Sequence, residues 1–357
     1  MGVSFFFCRV RAEHDDRKGH HYYTSALQAE AFVYSSDDPC GHHGEGAVIM
    51  GKGRSSCFVK KGNICFMPAN LPPTTWAHHH LDWGQRTYVM GIINVTPDSF
   101  AGDGLAVESL PPEVIVERAV AQAQAFVREG ATMIDVGGES TRPHALPVSL
   151  KQELARVLPV IQALFATLPP EVIISIDTYK AEVARQALDA GACMVNDIWG
   201  LHKDPDMAAL VSERRVPIVL MANMRGYQKH EIVSDVLRFL AASIDLALGA
   251  GVAWEHLIID PGIGFGTTPD ENLTLLHRLG ELRALGRPLL LGTSRKSTIG
   301  LVLGNLPPSE RVEGTAATVA LGIAQGADIV RVHDVHEMMR VVKMSDAVVR
   351  TSRQASL

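Results

Sequence analysis

The sequence has no stretch of 18 consecutive apolar residues among its 357 residues, so we expect no membrane-spanning helix. A short apolar run at residues 3–8 has no basic residues before it and no small-residue cleavage site after it. This pattern does not indicate a secretory signal. We therefore expect neither insertion into a membrane nor secretion.

Cysteine is scarce and unevenly distributed. Four of the five cysteines lie in the first 65 residues, and only Cys193 lies beyond them. Their odd number does not suggest a disulfide framework, and their spacings match no zinc-binding pattern. The simplest interpretation is a reduced, cytoplasmic protein.

Basic residues are also too few to dominate the surface. The formal net charge is −6, with 33 Lys and Arg against 39 Asp and Glu. This balance argues against a general nucleic-acid or membrane-surface binder. The hydrophobic content of 46% is instead typical of a globular protein with a substantial core.

From residue 88 onward, short apolar runs alternate with helix-like stretches such as residues 112–129. Continuous apolar runs are typical of strands that are buried on both faces of a parallel sheet. Eight strands in some 270 residues favour a (β/α)₈ TIM barrel over an open doubly wound sheet, which more often has five or six. The eight predicted strands are residues 88–93, 132–136, 173–176, 194–195, 217–221, 257–259, 289–291 and 329–332.

Glycine recurs at the end of the predicted helices. Gly130, Gly191, Gly251 and Gly326 each follow a helical stretch and precede a strand. Glycine is favoured there because it adopts the left-handed conformation that ends many helices. The repetition supports the alternating strand–helix unit.

Residues 1–80 show little periodicity and are rich in His, Gly and Ser. We interpret them as an irregular N-terminal extension, or as sequence upstream of the true start, for which Met67 is a candidate. Metal binding by their histidine pairs is a lesser alternative. The predicted barrel domain then comprises residues 81–357.

Polar side chains follow the predicted strands at the point where each strand ends. Asn94, Asp177, Asn196 and Asp260 come directly after apolar runs, as do the segments 294–297 and 331–333. Because the carboxyl ends of barrel strands meet at one face, these groups predict a site for an anionic, hydrogen-bonding substrate. Taken singly, Asp177 could equally cap a helix, and Ser-Arg-Lys could be a solvated surface run.

Four sequence motifs resemble those of one known protein family. The stretches NVTPDSF (94–100), GESTRP (138–143), DPGIGFG (260–266) and SRKS (294–297) closely resemble the motifs of dihydropteroate synthases, in the same order on successive strands. The resemblance covers residues 87–350 approximately. It implies a transferase of folate biosynthesis that condenses 6-hydroxymethyl-7,8-dihydropterin pyrophosphate with p-aminobenzoate.

The resemblance also implies roles for individual residues. Catalysis and the pterin ring would depend on Asp177, Asp260, Lys296 and Asn196, inside walls made by Ile198, Met221 and Phe265. Pyrophosphate would bind Arg331 and His333, with Mg²⁺ beside Asn94. p-Aminobenzoate would bind Thr141, Arg142, Pro143 and Ser294, under a mobile loop around Phe100.

The family resemblance further implies a homodimer formed through the last helices, with Met338, Met339 and Val342 as candidate contacts or, equally, as core. Two departures from the family pattern are Ala222, where His is usual, and Thr267, where Lys is usual. They leave a catalytically impaired pterin-binding paralogue as an alternative. A folate-dependent methyltransferase of a related barrel is a second alternative, but it would not need the pyrophosphate-binding residues.

Overall fold

The computed structural model describes residues 71–96, 111–140 and 147–350, together with four short strands nearer the N-terminus. The chain divides into two compact units, Met1–Ala69 and Asn70–Leu357. In the first unit, the four strands form an antiparallel sheet in chain order. Most of the predicted extension lies outside the described residues, so that interpretation stays a prediction. The four strands are Glu30–Phe32, Gly46–Met50, Ser56–Lys60 and Asn63–Phe66.

A β-hairpin opens the second unit and packs on the barrel. Its strands are Thr74–Trp76 and His79–Leu81. The Trp76 indole donates to the carbonyl of Cys193 (2.9 Å), which lies just before the fourth barrel strand. The Thr74 hydroxyl donates to the carbonyl of Glu255 (2.5 Å), just before the sixth. The hairpin therefore covers the end of the barrel where the strands begin, opposite the predicted site.

This contact predicts how far the chain can be shortened. A chain that begins at Met67 keeps the hairpin, and we expect it to fold and to retain activity. A matched chain that begins at Asp82 loses the buried Trp76 and should unfold at a lower temperature, since loss of a buried Trp typically costs about 3–5 kcal/mol. Thermal unfolding and activity of both chains test this. Inactivity of the longer one would show that residues 1–66 are part of the enzyme.

Eight parallel strands form the barrel. Their order in the sheet follows the chain, and the eighth strand pairs with the first. Between the sixth and seventh strands, a bridge between Ile259 and Leu289 and a bond from the Ile259 amide to the Pro288 carbonyl (2.9 Å) complete the ring. The TIM barrel prediction is confirmed, and the open-sheet alternative is wrong. The strands are Tyr88–Asn94, Met133–Gly137, Ile173–Asp177, Met194–Asp197, Ile218–Met221, Leu257–Asp260, Leu290–Leu291 and Ile329–Val332.

Helices follow the strands and cover them. In the part of the chain that the structure describes, two helices connect the seventh strand to the eighth, and one follows each of the other strands. They are α1 Pro112–Glu129, α2 Leu150–Thr167, α3 Ala181–Asp189, α4 Asp206–Arg214, α5 Ile232–Gly249, α6 Pro269–His277, α7 Ser297–Val302, α8 Val312–Ala324 and α9 Val335–Val349. Short 3₁₀ helices occupy Trp254–His256, Leu279–Leu285 and Pro308–Glu310.

The strands are buried on both faces, as their continuous apolar runs predicted. All of Met133–Gly137 and all of Ile218–Met221, for example, are buried. The four glycines that were predicted to end helices have φ between +88° and +118°, a range that residues with a side chain rarely adopt. Among the helices that the structure describes, none is long and apolar enough to cross a membrane.

Candidate active site

The centre of the site is an arginine held between two carboxylates. Arg331 lies on the eighth strand, and its Nε donates to Asp135 Oδ2 on the second strand (2.6 Å). Its Nη2 donates to Asp177 Oδ2 at the end of the third strand (2.6 Å). Burial works to lower the pKa of Arg331, but the two carboxylates outweigh it and raise that pKa. Arg331 is therefore a fixed cation at the carboxyl ends of the strands.

Asp135 is a site residue that the sequence reasoning left without a role. Its side chain is fully buried, and its Oδ2 also accepts a bond from the Asn196 amide (2.9 Å). It thus orients both Arg331 and Asn196, two residues that were predicted. The signal was available, since a carboxylate in the middle of the otherwise apolar second strand is costly unless it is paired.

Asp177 faces the same opening and does not cap a helix. The first amide of α3, at Ala181, donates instead to Asp204 Oδ2 (2.8 Å). Burial, opposed by Arg331 and reinforced by Asp135, raises the pKa of Asp177 to about 7. The helix-cap alternative for Asp177 is therefore wrong. The carboxyl group is poised to change charge close to neutral pH.

The three predicted pocket walls come together. Ile198, Met221 and Phe265 form a small apolar cluster of their own, separate from the main core, and Tyr179 and Trp199 pack against it. The ammonium of Lys296 lies 4.6 Å from the centre of the Phe265 ring. A flat apolar face bordered by cations suits an aromatic heterocycle.

Lys296 and Asp260 lie beside this cluster. The Lys296 ammonium donates to the carbonyl of Ile263, and burial lowers the pKa of Lys296 to about 8, although Asp260 opposes that shift. Burial likewise raises the pKa of Asp260, opposed by Lys296. Asp260 Oδ1 accepts the Gly262 amide (2.7 Å). Each group therefore limits the cost of burying the other.

Gly262 shows why this loop needs glycine. Its φ is +70°, and a Cβ atom there would lie 1.8 Å from the carbonyl oxygen of Ala222. The loop after the sixth strand can pack against the fifth strand only without a side chain at this position. Its packing places Asp260 and Phe265 at the pocket.

Ser294 and His333 are in direct contact. The backbone amide of His333 donates to Ser294 Oγ (3.1 Å), and Nδ1 of the same residue lies 3.0 Å from that oxygen. Ser294 is buried, with 6% of its surface exposed. The structure thus places Ser294 in support of His333, and its role toward p-aminobenzoate stays a prediction. Arg295, which lies between Ser294 and Lys296 in the chain, pairs instead with Asp334 (Nε–Oδ2 2.9 Å).

Asn94 ends the first strand and is half-buried. A Cβ atom on Gly137, in the neighbouring strand, would lie 3.5 Å from Asp177 Oδ2 and 3.7 Å from Asn94 Oδ1. Glycine therefore keeps a polar gap between the two side chains. The predicted p-aminobenzoate residues Thr141, Arg142 and Pro143 lie outside the described residues, as does Phe100.

The structure shows what surrounds Ala222 and Thr267, the two residues that depart from the family pattern. Ala222 is fully buried and packs with the main core, not with the pocket cluster. Thr267 Oγ1 donates to Asn272 Oδ1 (2.6 Å) and accepts the Gly264 amide (3.1 Å). Thr267 therefore stabilises the loop that carries Phe265.

Comparison with known proteins agrees with this geometry. Residues 90–333 match the family described as pterin binding enzyme. A dihydropteroate synthase of Synechocystis is 50% identical over 287 residues, which are 78% of this chain and 96% of that protein. The chain belongs to the dihydropteroate synthase family. A Bacillus subtilis member of the family is 49% identical over 75% of this chain and 90% of its own length.

Solved structures of the family match as well. A dihydropteroate synthase from Clostridium difficile, determined with pteroic acid, has a TM-score of 0.70 and 47% identity, covering 76% of this chain and 99% of that one. The Xanthomonas albilineans enzyme in complex with 7,8-dihydropteroate has a TM-score of 0.69 and 40% identity, covering 78% and 98%. These relatives favour a synthase over the impaired-paralogue and methyltransferase alternatives.

Proposed function

We infer that the chain catalyses the reaction of its family, in which 6-hydroxymethyl-7,8-dihydropterin pyrophosphate and p-aminobenzoate give 7,8-dihydropteroate and pyrophosphate. The observation that carries this inference is the position of Arg331 between Asp135 and Asp177, next to the pocket of Phe265. A cation for pyrophosphate, a carboxylate for a developing positive charge and an apolar wall for a ring lie at one opening.

The carboxylates, amide and lysine recognise the pterin ring in this proposal. The Asp260 carboxylate accepts hydrogen bonds from the ring edge. The Asn196 side-chain amide both accepts and donates them, and Lys296 supplies a further donor. Buried groups of this kind discriminate strongly, because a ligand that leaves them unpaired loses their hydrogen bonds. Ile198, Met221 and Phe265 enclose the faces of the ring.

The chemistry requires no nucleophile from the protein. The bond between the pterin methylene carbon and the pyrophosphate oxygen breaks, and pyrophosphate leaves with the electron pair. The Asp177 carboxylate stabilises the resulting methylene cation, while Arg331 and His333 stabilise the departing anion. The aromatic amine of p-aminobenzoate then forms the new C–N bond and loses a proton to water.

The predicted Mg²⁺ fits this site as a partner of the substrate. Mg²⁺ keeps several waters and is usually held by few protein oxygens together with phosphates. The Asn94 oxygen beside the gap at Gly137 supplies one neutral ligand of this type. When bound, Mg²⁺ would neutralise part of the pyrophosphate charge.

We further propose that a second copy of the chain covers the apolar surface on the last helices. Most large apolar side chains exposed on the described residues lie on or beside α6 to α9, including Val302, Leu321, Met344 and Val348. Met338 and Val342 follow the second of their two predicted alternatives, because both are buried in the barrel core, and Met339 packs against it. Sedimentation should give twice the chain mass of 38.6 kDa.

The decisive assay measures pyrophosphate release from the pterin substrate. We expect release to require both p-aminobenzoate and Mg²⁺, and to stop on chelation of the metal and resume when it is returned. Release that is independent of p-aminobenzoate would contradict the synthase assignment. The predicted cytoplasmic location, and the absence of nucleic-acid partners, stay predictions.

A further inference from the structure

One buried asparagine joins two of the segments that carry pocket residues. Asn272 lies near the start of α6 and has 2% of its surface exposed. Its Oδ1 accepts the backbone amide of Gly264 (2.9 Å), in the loop after the sixth strand. Its Nδ2 donates to the hydroxyl of Thr298 (2.9 Å), in the first turn of α7. Asn272 therefore connects the loop that carries Phe265 to the helix that follows Lys296.

The orientation of this side-chain amide follows from its partners. A backbone N–H can only donate, so the oxygen of Asn272 faces Gly264 and the nitrogen faces Thr298. The hydroxyl of Thr267 donates to the same oxygen (2.6 Å). Burial of an amide is costly unless the amide is paired, and these three bonds offset that cost. A satisfied buried network of this kind specifies one arrangement of the loop and α7.

The loop that Asn272 holds packs directly on Lys296. A Cβ atom on Gly264 would lie 3.3 Å from Cδ of Lys296, so the glycine backbone lies against the stem of the lysine. The Lys296 ammonium donates to the carbonyl of Ile263 and lies 4.6 Å from the centre of the Phe265 ring. A shift of the loop relative to α7 would therefore change how Phe265 and Lys296 face the pocket.

Packing alone leaves room for such a shift. An apolar cavity of about 160 Å³ borders Ile263, Lys296 and Thr298, on the side where α8 lies. Side chains next to a cavity lack contacts on that side, so neighbouring atoms constrain them less there. The bonds of Asn272 supply the missing constraint. Because so little of its surface is exposed, Asn272 acts through Gly264 and Thr298 and not by contact with a substrate.

We propose that Asn272 is a positioning residue that fixes Phe265 and Lys296 relative to each other and so sets the affinity for the pterin substrate. The proposal rests on the proposed function, in which Phe265 encloses a face of the pterin ring and Lys296 donates to its edge. Two groups that contact one ring have to be aligned with each other, because a hydrogen bond weakens steeply when its geometry is distorted.

The test compares kcat with the KM values for the two substrates. We expect Asn272→Leu to raise the KM for the pterin pyrophosphate by about tenfold, because the aligned donor in the pocket is lost. Asp177 and Arg331 keep their own hydrogen bond, so kcat should stay within about twofold of the wild-type value. The KM for p-aminobenzoate, measured at saturating pterin substrate, should also stay near the wild-type value.

Thr298→Val tests the same network with a smaller change, and it decides the matter if Asn272→Leu does not fold. The valine keeps the shape of the side chain and removes only the hydroxyl that accepts the bond from Asn272. It should raise the KM for the pterin substrate about threefold, the effect of one lost hydrogen bond. Thr298→Ser keeps the hydroxyl and should restore the wild-type KM.

The matched control is Gln325→Met. Gln325 is also an amide that joins two segments, since its Nε2 donates to the carbonyl of Leu276 (2.7 Å) and its Oε1 accepts the backbone amide of Gly280 (3.1 Å). It follows the end of α8, at the opposite end of the barrel from the site. This variant should lower thermal stability without raising the KM for the pterin substrate.

The outcomes separate the two levels of inference. Wild-type protein without p-aminobenzoate-dependent pyrophosphate release would contradict the proposed function itself. An active wild type whose folded Asn272→Leu and Thr298→Val variants keep the normal KM for the pterin substrate would overturn the role of Asn272. Equal increases in the KM for both substrates, or an increase in the Gln325 control, would reduce Asn272 to general stabilisation.

Discussion

Substitution of Asp177 by Asn should reduce kcat by about 100- to 1000-fold, the loss typical when one preorganised electrostatic group is removed from a transition state. Asn retains the shape and can still accept a bond from Arg331, so the KM for the pterin substrate should change little. Only the developing methylene cation needs the full negative charge. Steady-state kinetics at saturating p-aminobenzoate measure both parameters.

The pH profile gives a second, independent readout. The pKa of Asp177 is raised to about 7 by burial, so its carboxylate is protonated below that pH and ionised above it. Because the ionised form is the active one, kcat/KM for the pterin substrate should fall as the pH drops below about 7. This acidic decline should disappear in Asp177→Asn.

Asp197→Asn is the matched control. Asp197 is also buried, and burial raises its pKa to about 6. Its oxygens, however, accept the backbone amides of Trp199 (2.8 Å) and Leu201 (2.7 Å) and do not contact Arg331. This variant should lower stability and keep an acidic decline, moved slightly to lower pH because the charge of Asp197 helps to raise the pKa of Asp177. Parallel losses of binding and turnover in Asp177→Asn would make Asp177 a binding residue only.

Substitution of Arg331 by Ala should abolish detectable binding of p-aminobenzoate, a ligand that we do not expect Arg331 to contact. In the proposed order, pyrophosphate and Mg²⁺ bind first, and p-aminobenzoate binds only to the site that they organise. A buried charge-assisted contact contributes about 1.5–3 kcal/mol, so its loss weakens binding about tenfold or more. Calorimetric titration of p-aminobenzoate in the presence of pyrophosphate and Mg²⁺ tests this.

The same change should lower stability, because it leaves Asp135 and Asp177 buried without their cation. Removal of one partner from a buried ion pair typically costs about 3–5 kcal/mol. The double variant Arg331→Ala with Asp135→Asn should regain stability but not p-aminobenzoate binding. Arg295→Ala, whose arginine pairs with the partly exposed Asp334, is the matched control and should bind normally. Unchanged binding in Arg331→Ala, or equal wild-type binding without pyrophosphate, would leave two independent pockets.

Periodicity predicted the barrel well, because a strand buried on both faces has to be apolar along its length. All eight predicted strands occur, with ends shifted by at most two residues. The glycines after the helices were equally reliable, since the left-handed backbone leaves few alternatives. The hairpin at residues 74–81 was missed. Its strands have only three residues each, too few to produce a recognisable alternation.

The structure brings together those predicted residues that lie at the carboxyl ends of strands. Asn196, Asp260 and Arg331 needed only the rule that strand ends converge. Asp135 was missed because its importance comes from its bond with Arg331, 196 residues away in the chain. The sequence also could not show that Met338 faces the core, because methionine and valine occur on the exposed face of α9 as well as on its buried face.

The double attachment of Arg331 has a consequence for turnover. Asp135 and Asp177 accept bonds from Nε and Nη2 of its guanidinium, so an incoming pyrophosphate group would bind the remaining N–H groups and share the positive charge with two carboxylates that are already in place. After the reaction, the same carboxylates compete with the product for the arginine. The residues that stabilise the resting site therefore also assist product release, and the enzyme should be only weakly inhibited by the pyrophosphate that it produces.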